Sequence, residues 1–353
     1  MRLATPEDER RLMRLREECA AAAGHFSLAQ LLIDDCVDYP AYCLGFQPHP
    51  QAGAELKRVQ EWAEHSGIWL PHSPNYTTMN AFLHSTASLE RLVTIGKLYA
   101  LFFYLDDNAD IAASLGLHEL SRLAQLRRRL THLLNSGHLS AGHGREERIT
   151  FELFDELRAT NPPAEWMRLF TAATRMYYQQ TLIDWRTAAS GSVLSVREYI
   201  EARLHTSGMY QVVLLLEFGD ARYLQHHEVV HIEPRLDRLR WLCAALGALI
   251  NDLFSFEKEF LQECSDFNLV PVILLNQPQL TLTEALTDAA ALLRKHLREF
   301  IELSKEMREE ASVKDGPLAF HLHSLELTVQ STWAWQLATT RYRKEQSLFE
   351  EWG

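Results

Sequence analysis

Apolar residues recur at three- and four-residue intervals through most of the chain, the period of helices that bury one face. From Ala81 to about Leu115 the series Leu83, Leu89, Leu92, Ile95, Leu98, Tyr99, Phe102 and Phe103 predicts one long helix. A second begins after Asn161-Pro162-Pro163, where the prolines suit a helix entry, and runs through Trp166, Phe170, Met176, Tyr177 and Ile183 toward Trp185. Ser195-Val196-Arg197-Glu198 and Thr281-Leu282-Thr283-Glu284 both have capping-box spacing. The first opens a helix through Tyr199, Ile200 and Leu204, and the second a helix reaching about Glu310. No succession of alternating runs between turn signals marks a sheet.

Helix breakers fall at Ser190-Gly191-Ser192, around Pro234, from Pro271 to Pro278, and at Lys314-Asp315-Gly316-Pro317. They read as connections between helices, and no repeat period or low-complexity tract divides the chain. The expectation is a single all-α domain over residues 26–353, preceded by residues 1–25 as a peripheral helix or ordered tail.

Composition narrows the function classes. The 353 residues, 47% hydrophobic and 23% charged, are enough for a large core. A formal charge of -12 argues against a general nucleic-acid binder, which needs a basic surface. Arg127-Arg128-Arg129 reads as a solvated helix face. Cys19, Cys36, Cys43, Cys243 and Cys264 are odd in number and lack a Cys-x-x-Cys pair, so neither a disulfide framework nor a zinc ribbon is expected. The charged segment Met1 to Glu18 lacks the apolar core of a signal peptide, and no uninterrupted apolar run approaches the roughly 18 residues of a membrane span. A cytoplasmic setting without a transmembrane segment is expected.

The candidate chemistry lies in two oxygen-rich clusters about 145 residues apart, Asp106-Asp107-Asn108-Ala109-Asp110 and Asn251 to Glu259, each directly following an apolar stretch. Carboxylates are costly to bury unless paired or bound to metal, so such clusters point to a cation site. On a helix Asp106 and Asp110 share a face, with Asp107 turned about 100 degrees away. Asn251, Ser255 and Glu259 recur at four-residue steps, an all-oxygen stripe of amide, hydroxyl and carboxylate. Hard divalent cations take such ligands, and magnesium in particular is held by few protein oxygens together with waters and substrate phosphates.

Asp106-Asp107-x-x-Asp110 together with Asn251-Asp252-x-x-Ser255-x-x-Lys258-Glu259 resembles the metal motifs of class I terpene synthases of the bacterial type. Arg203, and Arg341-Tyr342 preceded by Trp335, agree in order and approximate spacing, and the resemblance spans about Phe46 to Arg343. It implies a single antiparallel helical bundle around an apolar active-site cavity, with both motifs at the mouth. Asp106 would bind magnesium, with Asp110 as a second ligand or an arginine partner; Asn251, Ser255 and Glu259 would chelate further magnesium, three ions in all. Arg203, Lys258, Arg341 and Tyr342 would grip diphosphate, with Arg197 as the fallback for Arg203, which lies slightly further upstream than the family's sensing arginine. Phe102, Phe103 and Trp335 are either cavity wall or core packing. Ser207 and Gly208 fall where the family breaks a helix, although a plain kink or cap would look the same. The implied reaction is ionisation and cyclisation of a linear isoprenyl diphosphate, farnesyl diphosphate first and geranylgeranyl diphosphate second, by a monomer or homodimer.

Other readings compete. His227-Glu228-Val229-Val230-His231 matches the zinc-protease pattern. A chain-elongating prenyltransferase would usually carry aspartates at both sites, whereas the second site here has Asn251, Ser255 and Glu259. A class II cyclase would need an Asp-x-Asp-Asp acid motif, and a non-catalytic helical binding protein would not need the oxygen clusters and the basic set together.

Overall fold

The computed structural model describes residues 1–22, 25–71, 73, 77–115, 117–225, 232–310, 316–343 and 347–352, without the side chains of 109–115, 117–120 and 352. Within it the chain is almost wholly helical. The described sheet is one antiparallel pair, β1 (Arg2–Leu3) with β2 (Ser192–Val193), in the register Arg2 with Val193.

In chain order the main helices are α1 (Pro6–Ala21), α2 (Ala52–Ser66), α3 (Met79–Leu83), α4 (Leu89–Leu115), α5 (Leu117–Ser136), α6 (Arg145–Ala159) and α7 (Ala164–Thr181). They continue as α8 (Val196–Thr206), α9 (Met209–Asp220), α10 (Glu233–Glu257), α11 (Leu269–Asn276), α12 (Leu282–Glu309) and α13 (Pro317–Ala338). A π-helical turn, Lys258–Gln262, extends α10.

Helix α10 is the axis of the bundle. Every residue from Leu242 to Ile250 is buried, and a helix apolar on all sides belongs in the interior. It packs against α8, α9, α11, α12 and α13, while α4 packs against α2, α3, α5, α6 and α9. Small residues let neighbours approach closely: a Cβ at Gly247 would stand 2.4 Å from Met209 Cε and 3.3 Å from Thr332 Cγ2. Glu233–Gln262 is long and apolar enough by composition to cross a membrane, but 83% of its most apolar stretch is buried inside the bundle, as a core helix should be.

Both predicted capping boxes form. Ser195 Oγ accepts from Glu198 N while Glu198 Oε2 accepts from Ser195 N, and Thr281 and Glu284 repeat the exchange. The N-terminal helix α1 has its own box, Thr5 with Asp8, and packs on α11, α12 and the π turn through Leu12, Leu15 and Cys19.

Three expectations change. The single helix from Ala81 divides into α3 and α4, because His84-Ser85-Thr86-Ala87-Ser88 forms a turn; Thr86 Oγ1 bonds Asp220 instead of supporting a helix, and Ser88 O accepts from Leu92 N to start α4. The helix after Pro163 ends at Thr181, short of Trp185, whose Nε1 turns back to Gln180 O. Pro271 does not break the chain but lies in the first turn of α11, where its missing N–H removes no intrahelical bond.

Candidate active site

Helices α4, α8, α9, α10 and α13 enclose one cavity, about 990 Å³ of empty space when the open solvent at its mouth is included. The cavity brings together eleven of the twelve residues singled out in the sequence: Asp106, Arg203, Asn251, Ser255, Lys258, Glu259, Arg341 and Tyr342, with Phe102, Phe103 and Trp335. The twelfth, Asp110, lies one turn beyond Asp106 on α4, but its side chain is outside the described residues. So is the His227–His231 motif. Arg197 is exposed and does not line the cavity, whereas Arg203 does.

The aromatic residues are wall and core at once. Phe102 is buried, with its ring 4.8 Å from Tyr177 and edge-on to Tyr178 at 6.2 Å. Trp335 donates from Nε1 to Thr78 Oγ1 at 3.1 Å and stands perpendicular to the Tyr342 ring. The Arg341 guanidinium lies 5.7 Å from the centre of the Phe103 ring, within cation–π range. Ser207 and Gly208 also line the cavity, at a break between α8 and α9 where Gly208 takes φ +72, a left-handed conformation costly for other residues.

The polar groups form a chain of contacts. Arg203 donates from Nε to Asp252 Oδ1 and from its terminal nitrogen to Asn251 Oδ1, both at 2.7 Å. Asn251 Nδ2 donates to Tyr342 OH at 2.8 Å, tying α10 to the segment after α13. Fully buried Asp252 also accepts from Tyr199 OH, so its charge is met by two donors one turn apart on α8. Asn268 donates to Glu259 Oε2 at 2.9 Å and to Asp252 O at 2.8 Å. Lys258 lines the cavity but pairs with Glu263.

Tyr199, Asp252 and Asn268 are the structural partners that sequence reasoning missed. A signal was present: Tyr199 and Arg203 are donors at i, i+4, the spacing of neighbours on one helix face. The π turn was also unforeseen. It contains Glu259 and widens the helix there, a departure frequent at functional sites.

Electrostatics marks the same place. Burial, then Asp107, pushes the Asp106 carboxyl up to about 6, while Arg341, Arg203 and Lys258 pull the other way. Burial pushes Glu259 up to about 7 against the pull of Arg203. Ser255 Oγ is buried with no hydrogen-bond partner, an arrangement that costs about 1–3 kcal/mol unless a ligand repays it. A hard divalent cation would satisfy that orphaned oxygen and the under-neutralised carboxylates, so the donor set fits one. Among the described residues no three His, Cys, Asp or Glu side chains gather as a metal cluster. The stripe here instead mixes carboxylate with amide and hydroxyl oxygens.

This architecture, an apolar cavity rimmed by oxygen ligands and cations, agrees with what known proteins show. Residues 97–299 match the family described as terpene synthase family 2, C-terminal metal binding, so the chain belongs to that metal-binding family of terpene cyclases. The chain is 23% identical over 304 residues to 10-epi-cubebol synthase of Sorangium cellulosum, covering 84% of this chain and 95% of that one. It is 25% identical over 276 residues to (+)-T-muurolol synthase, described as (2E,6E)-farnesyl diphosphate cyclizing, of Roseiflexus castenholzii, covering 76% and 80%. The solved structure of hedycaryol synthase in complex with HEPES shares the fold, with a TM-score of 0.69 at 20% identity over 83% of this chain and 96% of that one. Relatives occur in bacteria, amoebae and fungi, which supports the family at large and not its bacterial branch in particular.

Proposed function

We propose that this protein is a magnesium-dependent cyclase that ionises farnesyl diphosphate, releases diphosphate and closes the farnesyl cation to a sesquiterpene. The observation that carries this reading is the convergence of Asp106, Asn251, Ser255 and Glu259 with Arg203, Lys258 and Arg341 on one cavity whose walls include Phe102, Phe103 and Trp335. The name of the (+)-T-muurolol synthase supports the farnesyl substrate.

Asp106, Asn251, Ser255 and Glu259 would hold magnesium, three ions by analogy with the family, with Asp110, one turn along α4 from Asp106, as a further ligand or an arginine partner. Bound magnesium supplies Lewis-acid polarisation of the departing diphosphate. Arg203, Lys258, Arg341 and Tyr342 hold that group, the arginines through their planar fork and Lys258 as a compact charge. Arg203 stands beside these ligands, donating to Asn251 Oδ1 and Asp252 Oδ1. Once the carbon–oxygen bond breaks, the aromatic faces of Phe102, Phe103 and Trp335 stabilise positive charge without offering a nucleophile, and the buried wall keeps bulk water out. Residues 26–353 form this catalytic domain, with residues 1–25 as its peripheral helix, in a cytoplasmic monomer or homodimer.

Incubation of the purified protein with geranyl, farnesyl and geranylgeranyl diphosphates, with and without magnesium, followed by product chromatography, tests the proposal. Cyclic fifteen-carbon products that require magnesium are expected. Longer linear products on adding isopentenyl diphosphate, or no turnover of any substrate, would overturn it.

A further inference from the structure

Arg341 and Tyr342 follow the end of α13 on non-helical chain, yet that chain is anchored to α10 at two points. The first is the bond from Asn251 Nδ2 to Tyr342 OH. The second lies five residues further on and ends at Glu257, which is 4% exposed and does not line the cavity. Its Oε2 accepts from the Ser347 hydroxyl, and its Oε1 accepts from Leu348 N at 2.9 Å. Asn251 and Glu257 stand six residues apart on α10, about 9 Å along the helix axis.

The other side of the C-terminal segment is held as well. Ser347, Leu348 and Phe349 are all buried, and Ser347 Oγ also accepts from Phe349 N at 3.1 Å. Leu348 O accepts from Phe26 N at 3.1 Å, and Phe26 O accepts from Glu350 N at 2.8 Å. Glu351 Oε1 accepts from the Ser27 hydroxyl and from Ala29 N, both at 2.9 Å. The chain after Tyr342 is therefore fixed between α10 and residues 26–29, with Glu257 as its anchor on α10. Removing that carboxyl would leave the Ser347 hydroxyl hydrogen and the Leu348 N–H without their acceptor.

We propose that Glu257 is a positioning residue for diphosphate: by anchoring Ser347 and Leu348 it holds Arg341 and Tyr342 beside Asn251, so that the two meet the anion already ordered. This rests on the cyclase reading above. Side chains on loose chain lose conformational freedom when they close on a ligand, and a prior anchor removes that cost from binding. Glu257 stands two residues after Ser255 and two before Glu259. One turn of chain thus presents metal ligands to the cavity and, on another side, grips the segment that carries Arg341 and Tyr342.

The test is calorimetric titration of the full-length protein with inorganic diphosphate in the presence of magnesium, with each variant confirmed as folded by circular dichroism. Glu257→Ala is expected to weaken binding about tenfold and Ser347→Ala, which leaves α10 untouched, about threefold, because the segment must then be ordered on binding. Glu257→Gln, whose amide still accepts from Leu348 N, is expected to stay within about twofold of the wild type. A merely structural role is separated by repeating Glu257→Ala and Ser347→Ala in a background of Arg341→Ala with Tyr342→Phe, where each is expected to add less than about twofold. Undiminished losses in that background would overturn the proposal, as would wild-type affinity in both Glu257→Ala and Ser347→Ala; should Glu257→Ala not fold, Ser347→Ala decides in the same way. Wild-type affinity in these variants would leave the cyclase reading intact. A wild-type protein that neither binds diphosphate with magnesium nor turns over any prenyl diphosphate would overturn that reading, and the inference with it.

Discussion

Glu55 offers a test of the packing that supports the metal-bearing helix. This glutamate, on α2, is 1% exposed and packs toward α4 opposite Gly96, where a Cβ would come within 2.3 Å of its Oε1. Oε1 accepts from Asn80 Nδ2 at 2.8 Å, whereas Oε2 has no partner. Burial pushes the carboxyl from its ordinary 4.5 up to about 7, with the Asn80 bond opposing. The folded state therefore holds this proton more tightly than the unfolded state. Its contribution is fully present below about pH 4.5 and is lost as pH rises through about 7, a fall of about 3 kcal/mol. Glu55→Gln keeps the acceptor for Asn80 and removes the ionisation. Buried His84 and His296, held by burial near 3 and 4, have the opposite slope below their ordinary 6.5 and act equally in both proteins. In urea unfolding from pH 4.5 to 8, the stability of the variant minus that of the wild type is expected to rise by about 3 kcal/mol. Parallel curves would refute the reasoning.

Gly96→Ala is expected to lower stability by about 1–3 kcal/mol through overpacking against Glu55 and Val59, and an unchanged urea midpoint would count against it. Gly247→Ala would push the flexible end of Met209 into the cavity, so competition between geranyl and farnesyl diphosphates should shift toward the shorter substrate; an unaltered ratio would contradict this. Asp252→Asn removes the charged partner of Arg203 in a buried pair and is expected to cost about 3 kcal/mol of stability by denaturant titration, whereas a loss below about 1 kcal/mol would show the pair to be dispensable.

Much of this site was legible because helical period alone places residues on faces. Asp106 follows apolar residues at a regular spacing, and Asn251 and Ser255 keep a four-residue step on α10, so their faces followed from α4 and α10 being helices, whereas Glu259 lies in the π turn beyond α10. What escaped depends on pairing between distant segments. Asp252 looked like one more acid in a cluster, yet it is turned about 100 degrees from Asn251 and buried against Tyr199 and Arg203, about 50 residues earlier. Asn268 reads as a helix cap, which it is, but its amide also reaches Glu259 and Asp252 O. The π turn and the division between α3 and α4 reflect tertiary bonds that local periodicity does not encode.

The most direct test of the account is magnesium-dependent diphosphate release from farnesyl diphosphate by the wild-type protein beside Asp106→Ala and Asn251→Ala. The account predicts turnover in the wild type that magnesium removal abolishes, and a loss of at least a hundredfold in each variant with the fold retained. Full activity in both variants would contradict it.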